Sequence, residues 1–167
     1  VIATVMSNIG LEKALGSIDV ELVRTDVGDK YVLSELIESG ASIGGEQSGH
    51  IIFPEIGLVG DGMMSTLLLL DAVGQRKLSE ATTGFTQYPQ ILVNVKVAKK
   101  LPFDELTDVV VAKAEIEREL HGEGRLLLRY SGTENLARVM IEGKDQAEIE
   151  HQARRLADVI EKALREA

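Results

Sequence analysis

The sequence predicts two domains in series. The first is a partial α/β/α sandwich with a mixed, largely parallel sheet, and the second a small α+β domain with helices on one face of an antiparallel sheet. Two observations carry this reading. Up to about residue 80, short apolar runs alternate with helical patterns, the order that builds parallel sheets. From Ile91 onward the grammar changes to strict period-two alternation and a βαββα order. Between them, Gly74–Gln90 is polar, weakly periodic and broken by Gly84 and Pro89. We therefore read 1–80 as one domain, 81–90 as a linker and 91–167 as the other.

Val1–Met6 is an apolar strand, and Ser7 or Asn8 caps a helix through Leu15 that Gly16 closes in a left-handed conformation. Asp19–Arg24 is a strand. Gly28-Asp29 opens a helix with Val32, Leu33, Leu36 and Ile37 inward, closed by Gly40. A glycine-rich loop, Gly44–His50, leads to a strand at Ile51–Phe53. Asp61 caps Met63–Val73, a helix apolar on every side and so expected between layers. In the second domain Ile91–Val97 is a strand, Asp104–Leu120 a helix, and Arg125–Tyr130 and Ala137–Ile141 strands around a Ser131-Gly132-Thr133 turn. Asp145 caps a last helix whose inward stripe is Ile149, Ala153, Leu156, Ile160 and Leu164. The chain opens on Val1, inside a strand, which suggests a piece of a longer protein.

Composition excludes several functions. There is no cysteine, so disulfide scaffolds, thiolate metal sites and cysteine nucleophiles are out. A net charge of −9, from 18 Lys+Arg and 27 Asp+Glu, argues against nucleic-acid partners. The longest apolar stretch, Met63–Val73, is too short for a bilayer and no signal segment opens the chain, so a cytoplasmic location away from membranes is expected. No Walker, Rossmann or zinc-spaced motif is present, and no residues are assigned to a metal. Asp26 and Asp29 read as turn and cap residues, His121 as a helix-end cation and His151 as a solvated one.

Two loops have the makings of chemistry. In Gly44–His50, adjacent glycines allow close backbone approach to a ligand, and Glu46, Ser48 and His50 fall at i, i+2 and i+4. An extended loop would aim all three to one side, where a carboxylate binds sugar hydroxyls and an imidazole moves a proton. The same residues also fit a simple turn. In Arg129–Asn135, a strand delivers an arginine into a turn with two hydroxyls and a glycine. Its backbone N–H groups suit an anion and the guanidinium matches phosphate oxygens. A hairpin with Arg129 on a solvated face fits equally well.

Taken together these residues are familiar. Gly45-Glu46-Gln47-Ser48-Gly49-His50 resembles the sugar-binding loop of the α-D-phosphohexomutases, and Arg129-Tyr130-Ser131-Gly132-Thr133-Glu134 the phosphate-binding loop of their last domain. Thr4–Asn8, Arg24–Val32 and Arg138–Gly143 resemble the phosphoglucosamine mutase branch of that family. The resemblance runs from end to end and implies most of a third domain plus a fourth domain. It implies an isomerase that interconverts glucosamine 6-phosphate and glucosamine 1-phosphate, on the route to UDP-N-acetylglucosamine and peptidoglycan. A phosphoserine and a bisphosphorylated sugar intermediate are part of that chemistry, with Mg²⁺ as cofactor. No segment here resembles the family's serine loop or metal-binding aspartate loop, so the 167 residues alone are expected to be inactive.

Carried over by resemblance, Glu46 and Ser48 would grip sugar hydroxyls and His50 would be the proton-transfer residue. Arg129, Ser131, Gly132 and Thr133 would hold the non-reacting phosphate, and Lys30 would add a substrate-binding charge. Lys30 stands where arginine is usual, and Tyr130 and Asn135 where proline is common; Gln47 occupies a position that varies between branches. The partner implied is a hexosamine phosphate, with homo-oligomerisation left open. The competing readings are a phosphomannomutase or phosphoglucomutase relative, a non-catalytic sugar-phosphate-binding module, and a purely structural module.

Overall fold

A computed structural model of the chain describes residues 1–166. It divides into two compact units, the first Val1–Gln87 and the second beginning at Tyr88. In the first unit β1 (Ile2–Thr4), β2 (Val23–Thr25), β3 (Gly44–Gly45) and β4 (Ile51–Ile52) form one sheet in the order β2-β1-β3-β4. The first three strands are mutually parallel and β4 runs antiparallel to β3. Helices α1 (Ile9–Gly16) and α2 (Asp29–Ser39) make the crossovers, followed by α3 (Gly62–Val73) and a single turn, α4 (Leu78–Ala81). Val32 and Leu36 of α2 pack on Ile2 and Ile52 to make the core.

The structure corrects four details here. Gly16 is not the left-handed residue that ends α1. The helix unwinds through a further turn in which Val20 N–H donates to the Leu15 carbonyl at 3.0 Å, and Asp19 takes the positive φ of 59°. That turn uses up residues 17–20, which is why β2 starts at Val23 and not at Asp19. β1 stops at Thr4 because Ser7 N–H turns back to the Thr4 carbonyl. Finally, α3 buries none of its residues: it touches its sheet at β4, and Met63, Leu67 and Leu70 are each more than 60% exposed. An all-round apolar sequence sets no preferred face, and within 1–87 β4 is the strand that packs most against it.

The second unit is a three-stranded antiparallel sheet, order β5-β7-β6, built from β5 (Gln90–Lys96), β6 (Arg125–Tyr130) and β7 (Leu136–Glu142). Helices α5 (Thr107–Glu119) and α6 (Gln146–Glu166) pack together, and α6 lies along β5 and β7. Alternation explains the layering. Val95 and Val97 join Ala137, Val139 and Ile141 beneath the α6 stripe of Ile149, Ala153, Leu156 and Ile160. The Asp145 side chain accepts from Glu148 N–H at 3.0 Å and starts α6. The expected helix from Asp104 is broken: Phe103–Glu105 is a 3₁₀ turn, and burial of Leu106 sets α5 off only from Thr107. Residues 82–89, most of the expected linker, form no helix or strand, and the Pro89 carbonyl accepts from Gly143 N–H in the second unit.

Candidate functional site

Strands β1, β2 and β3 are parallel, so the loops after them leave from the same edge of the sheet. From β1 the chain crosses to β2 on one side and then to β3 on the other. That reversal is where open α/β sheets bind ligands, outside the carboxyl ends of the strands. Lys30, Glu46, Ser48 and His50 all lie in or just beyond these loops.

The Gly44–His50 segment is a tight hairpin, not an extended loop. Gly49 N–H donates to the Glu46 carbonyl at 3.0 Å and Glu46 N–H to the His50 carbonyl at 2.9 Å, closing β3 onto β4. The turn sets Glu46 apart from Ser48 and His50, which stay together. Glu46 Oε1 accepts Gly28 N–H at 3.0 Å, tying the hairpin to the start of α2 and leaving Oε2 as acceptor for a ligand hydroxyl. Ser48 Oγ and His50 Nδ1 share a hydrogen bond of 3.1 Å on the exposed side. When Nδ1–H donates to Ser48, Nε2 is left as the proton acceptor; the opposite tautomer makes Nε2 a donor. Lys30 holds its ammonium 4.6 Å above the Tyr31 ring, in the first turn of α2.

Packing requires both adjacent glycines. A Cβ on Gly44 would lie 2.7 Å from Val32 Cγ1, and one on Gly45 2.7 Å from the His50 carbonyl oxygen. Beside the hairpin, an open cavity of about 470 Å³ is lined by apolar residues such as Leu11, Ile51 and Phe85 together with Asn8, Glu46 and Gln47. Arg24 was not singled out for a role by its spacing. Its guanidinium donates to the Ser7 carbonyl at 2.7 Å and to Glu12 at 3.1 Å, bracing the loop after β1.

In the second unit the turn between β6 and β7 is framed on every side. Ser131 is 2% exposed, with its N–H donating to the Leu136 carbonyl at 2.9 Å and its Oγ accepting from Glu134 N–H at 3.3 Å. Ser131 therefore locks the turn, and its one hydroxyl proton is what remains for a ligand. Gly132 and Thr133 are exposed at the tip. Arg129 stands directly opposite Arg138 across the strands, and Arg138 is held at 3.0 Å by Glu134 in the turn itself. Facing guanidiniums repel, and a carboxylate or a bound anion relieves that repulsion.

Two contacts here carry no signal in the sequence. Lys100 Nζ donates to the Ser131 carbonyl at 2.7 Å, across 31 positions. The Tyr130 hydroxyl donates to the Leu101 carbonyl at 2.6 Å while its ring stacks on Phe103 at 4.2 Å. Burial pushes the Tyr130 hydroxyl above its ordinary pKa, so it stays a neutral donor. The described residues contain no group of three or more His, Asp or Glu able to hold a metal ion.

Comparison with known proteins decides the family. The α/β/α domain III model of phosphoglucomutase/phosphomannomutase matches residues 1–88, and the C-terminal domain model matches residues 92–159. The chain belongs to the phosphoglucomutase/phosphomannomutase family. A phosphoglucosamine mutase of Caldanaerobacter subterraneus is 50% identical over 98% of this phosphohexomutase chain, and one of Thermoanaerobacter sp. is 49% identical over the same share. The chain spans 38% of the length of each of these curated relatives. Among solved structures, Aspergillus fumigatus N-acetylphosphoglucosamine mutase in complex with GlcNAc-6P and magnesium superposes with a TM-score of 0.74 at 22% identity, over 98% of this chain and 38% of that one. At that identity the likeness is one of fold. Among the described residues of this family member, no helix is long and apolar enough to cross a membrane.

Proposed function

We propose that this chain is the sugar- and phosphate-binding part of a phosphoglucosamine mutase, which interconverts glucosamine 6-phosphate and glucosamine 1-phosphate in the cytoplasm. The observation that carries the reading is the β6–β7 turn. Arg129 enters a loop whose exposed tip, Gly132-Thr133, is rigidly presented by a buried Ser131. Such a turn offers backbone N–H groups and a planar guanidinium to a phosphate that does not react. Binding energy from that remote group orients the reacting end. In the hairpin of the first unit, Glu46 Oε2 accepts sugar hydroxyls, Ser48 fixes the His50 ring and His50 Nε2 moves the proton of a reacting hydroxyl.

In this reading a phosphoserine supplies the phosphoryl group and a bisphosphorylated sugar is the intermediate. We place neither the serine nor the Mg²⁺ ligands among the residues described here, which contain no group of three or more His, Asp or Glu able to hold a metal ion. The relatives' remaining length is where we place them. Names of relatives at 50% and 49% identity support the hexosamine phosphate over a neutral hexose phosphate. The test is isomerisation by a longer protein that contains this chain, with glucosamine 6-phosphate, glucose 6-phosphate and mannose 6-phosphate in parallel. The amino sugar should give the highest kcat/KM. A higher value with either neutral sugar would move the assignment to a phosphoglucomutase or phosphomannomutase.

A further inference from the structure

We propose that Lys100 is a positioning residue of the phosphate site, holding the Ser131–Asn135 turn and placing a second cation at the loop that Arg129 enters. The inference rests on the phosphate reading of that loop. Lys100 lies in the strap between β5 and the 3₁₀ turn at Phe103–Glu105, and its ammonium donates to the Ser131 carbonyl at 2.7 Å. A lysine on the surface gains little by leaving water for a backbone carbonyl, unless its neighbours hold it there. They do. The strap is tied a second time where Tyr130 donates to the Leu101 carbonyl at 2.6 Å and stacks on Phe103 with 12° between the rings. Tyr130 is the residue that enters the turn, so one strap clamps the loop at two successive positions.

Two consequences follow for an anion. The Ser131 N–H, Oγ and carbonyl are each committed, to Leu136, Glu134 and Lys100, so the backbone at the exposed tip is set before a ligand arrives. An ammonium also has three N–H donors. One is spent on Ser131, and the others stay at the turn with their charge. That charge matters in a chain of net −9 that is to bind a phosphate dianion. Glu134 already pairs with Arg138, and Lys100 adds a cation at the turn.

The test uses the whole 167-residue chain, titrated with glucosamine 6-phosphate and separately with inorganic phosphate, with the Gly132 and Thr133 amides followed by NMR. Lys100→Met keeps the stem and removes the charge. It should weaken glucosamine 6-phosphate binding about five- to tenfold and flatten the dependence of affinity on salt, while the folding temperature moves by less than about 2 °C. Lys100→Arg should restore affinity to within about threefold, because the cation and the donor return. Wild-type affinity and salt dependence in Lys100→Met, with Arg129→Lys still weakened, would overturn the role of Lys100 and leave the phosphate loop standing. No response of Gly132 or Thr133 to either ligand in the wild-type chain would overturn the phosphate reading and this inference with it. A loss of affinity that Arg does not restore, with a lowered folding temperature, would reduce Lys100 to a structural strap and also overturn it.

Discussion

The two units mount their loops on very different scaffolds. The β6–β7 turn, proposed to hold a phosphate, joins strands of six and seven residues over a core of sixteen buried residues. The hairpin with Glu46, Ser48 and His50 joins strands of two residues each, over a core of four. Long antiparallel ladders and a deep core preorganise the β6–β7 turn, as the phosphate-holding role proposed for it requires. The hairpin depends for its position on a few contacts: Glu46 to Gly28, Gly44 against Val32 and Leu36, and the His50 carbonyl against Gly45.

The largest expected effect is on folding itself. A chain beginning at Tyr88 should fold by itself, because its core draws on no residue before it. Residues 1–87 alone, with four core residues and an exposed apolar α3, should be far less cooperative. Thermal unfolding of the two halves, followed by circular dichroism, measures this. A sharp transition in 1–87 and none in the chain from Tyr88 would reverse the comparison.

Next comes the hairpin's packing. Gly44→Ala drives a methyl into Val32 and Leu36, and should cost about 2–3 kcal/mol of the first unit's stability while leaving the second unit's amide protection unchanged. Hydrogen exchange reads both units at once. Arg129→Lys keeps the charge and loses the planar fork. It should weaken phosphate binding by about 1–2 kcal/mol and lower kcat/KM in the longer enzyme, with stability little changed. Unchanged kinetics with a large loss of stability would make Arg129 a structural residue.

The smallest effect is electrostatic. Hydrogen bonding to Arg155 holds Glu119 below the ordinary carboxylate pKa, although burial opposes it. A lowered folded-state pKa gives stability that is present above the ordinary carboxylate value and is lost as pH falls through the lowered one. Glu119 is 39% exposed, so the contribution is small. Arg155→Met should cost less than about 1 kcal/mol at pH 7, and the cost should shrink as pH falls and Glu119 protonates, by urea unfolding along a pH series.

The second unit was largely legible because each of its signals had one solution. Alternation at Ile91–Val97 and Ala137–Ile141, with the α6 stripe, allows one layering. The first unit was legible in order but not in detail. Asp19, rather than Gly16, took the left-handed position, a choice made by the turn that Val20 closes on Leu15. The 46–50 spacing marked candidate residues but not their arrangement, because one hydrogen bond from Gly49 to Glu46 turns an extended loop into a hairpin. Lys100 and Leu101 were invisible: contacts 29 and 31 positions away leave no periodic trace.

The division of labour between the two loops has its most direct test in the two halves of the ligand offered separately. The 167-residue chain would be titrated with inorganic phosphate and with glucosamine while all backbone amides are followed by NMR. Phosphate should move the amides of residues 129–135 and leave 28–50 still, and glucosamine should do the reverse. Phosphate acting on the hairpin, or either ligand leaving both loops unmoved, would contradict the account.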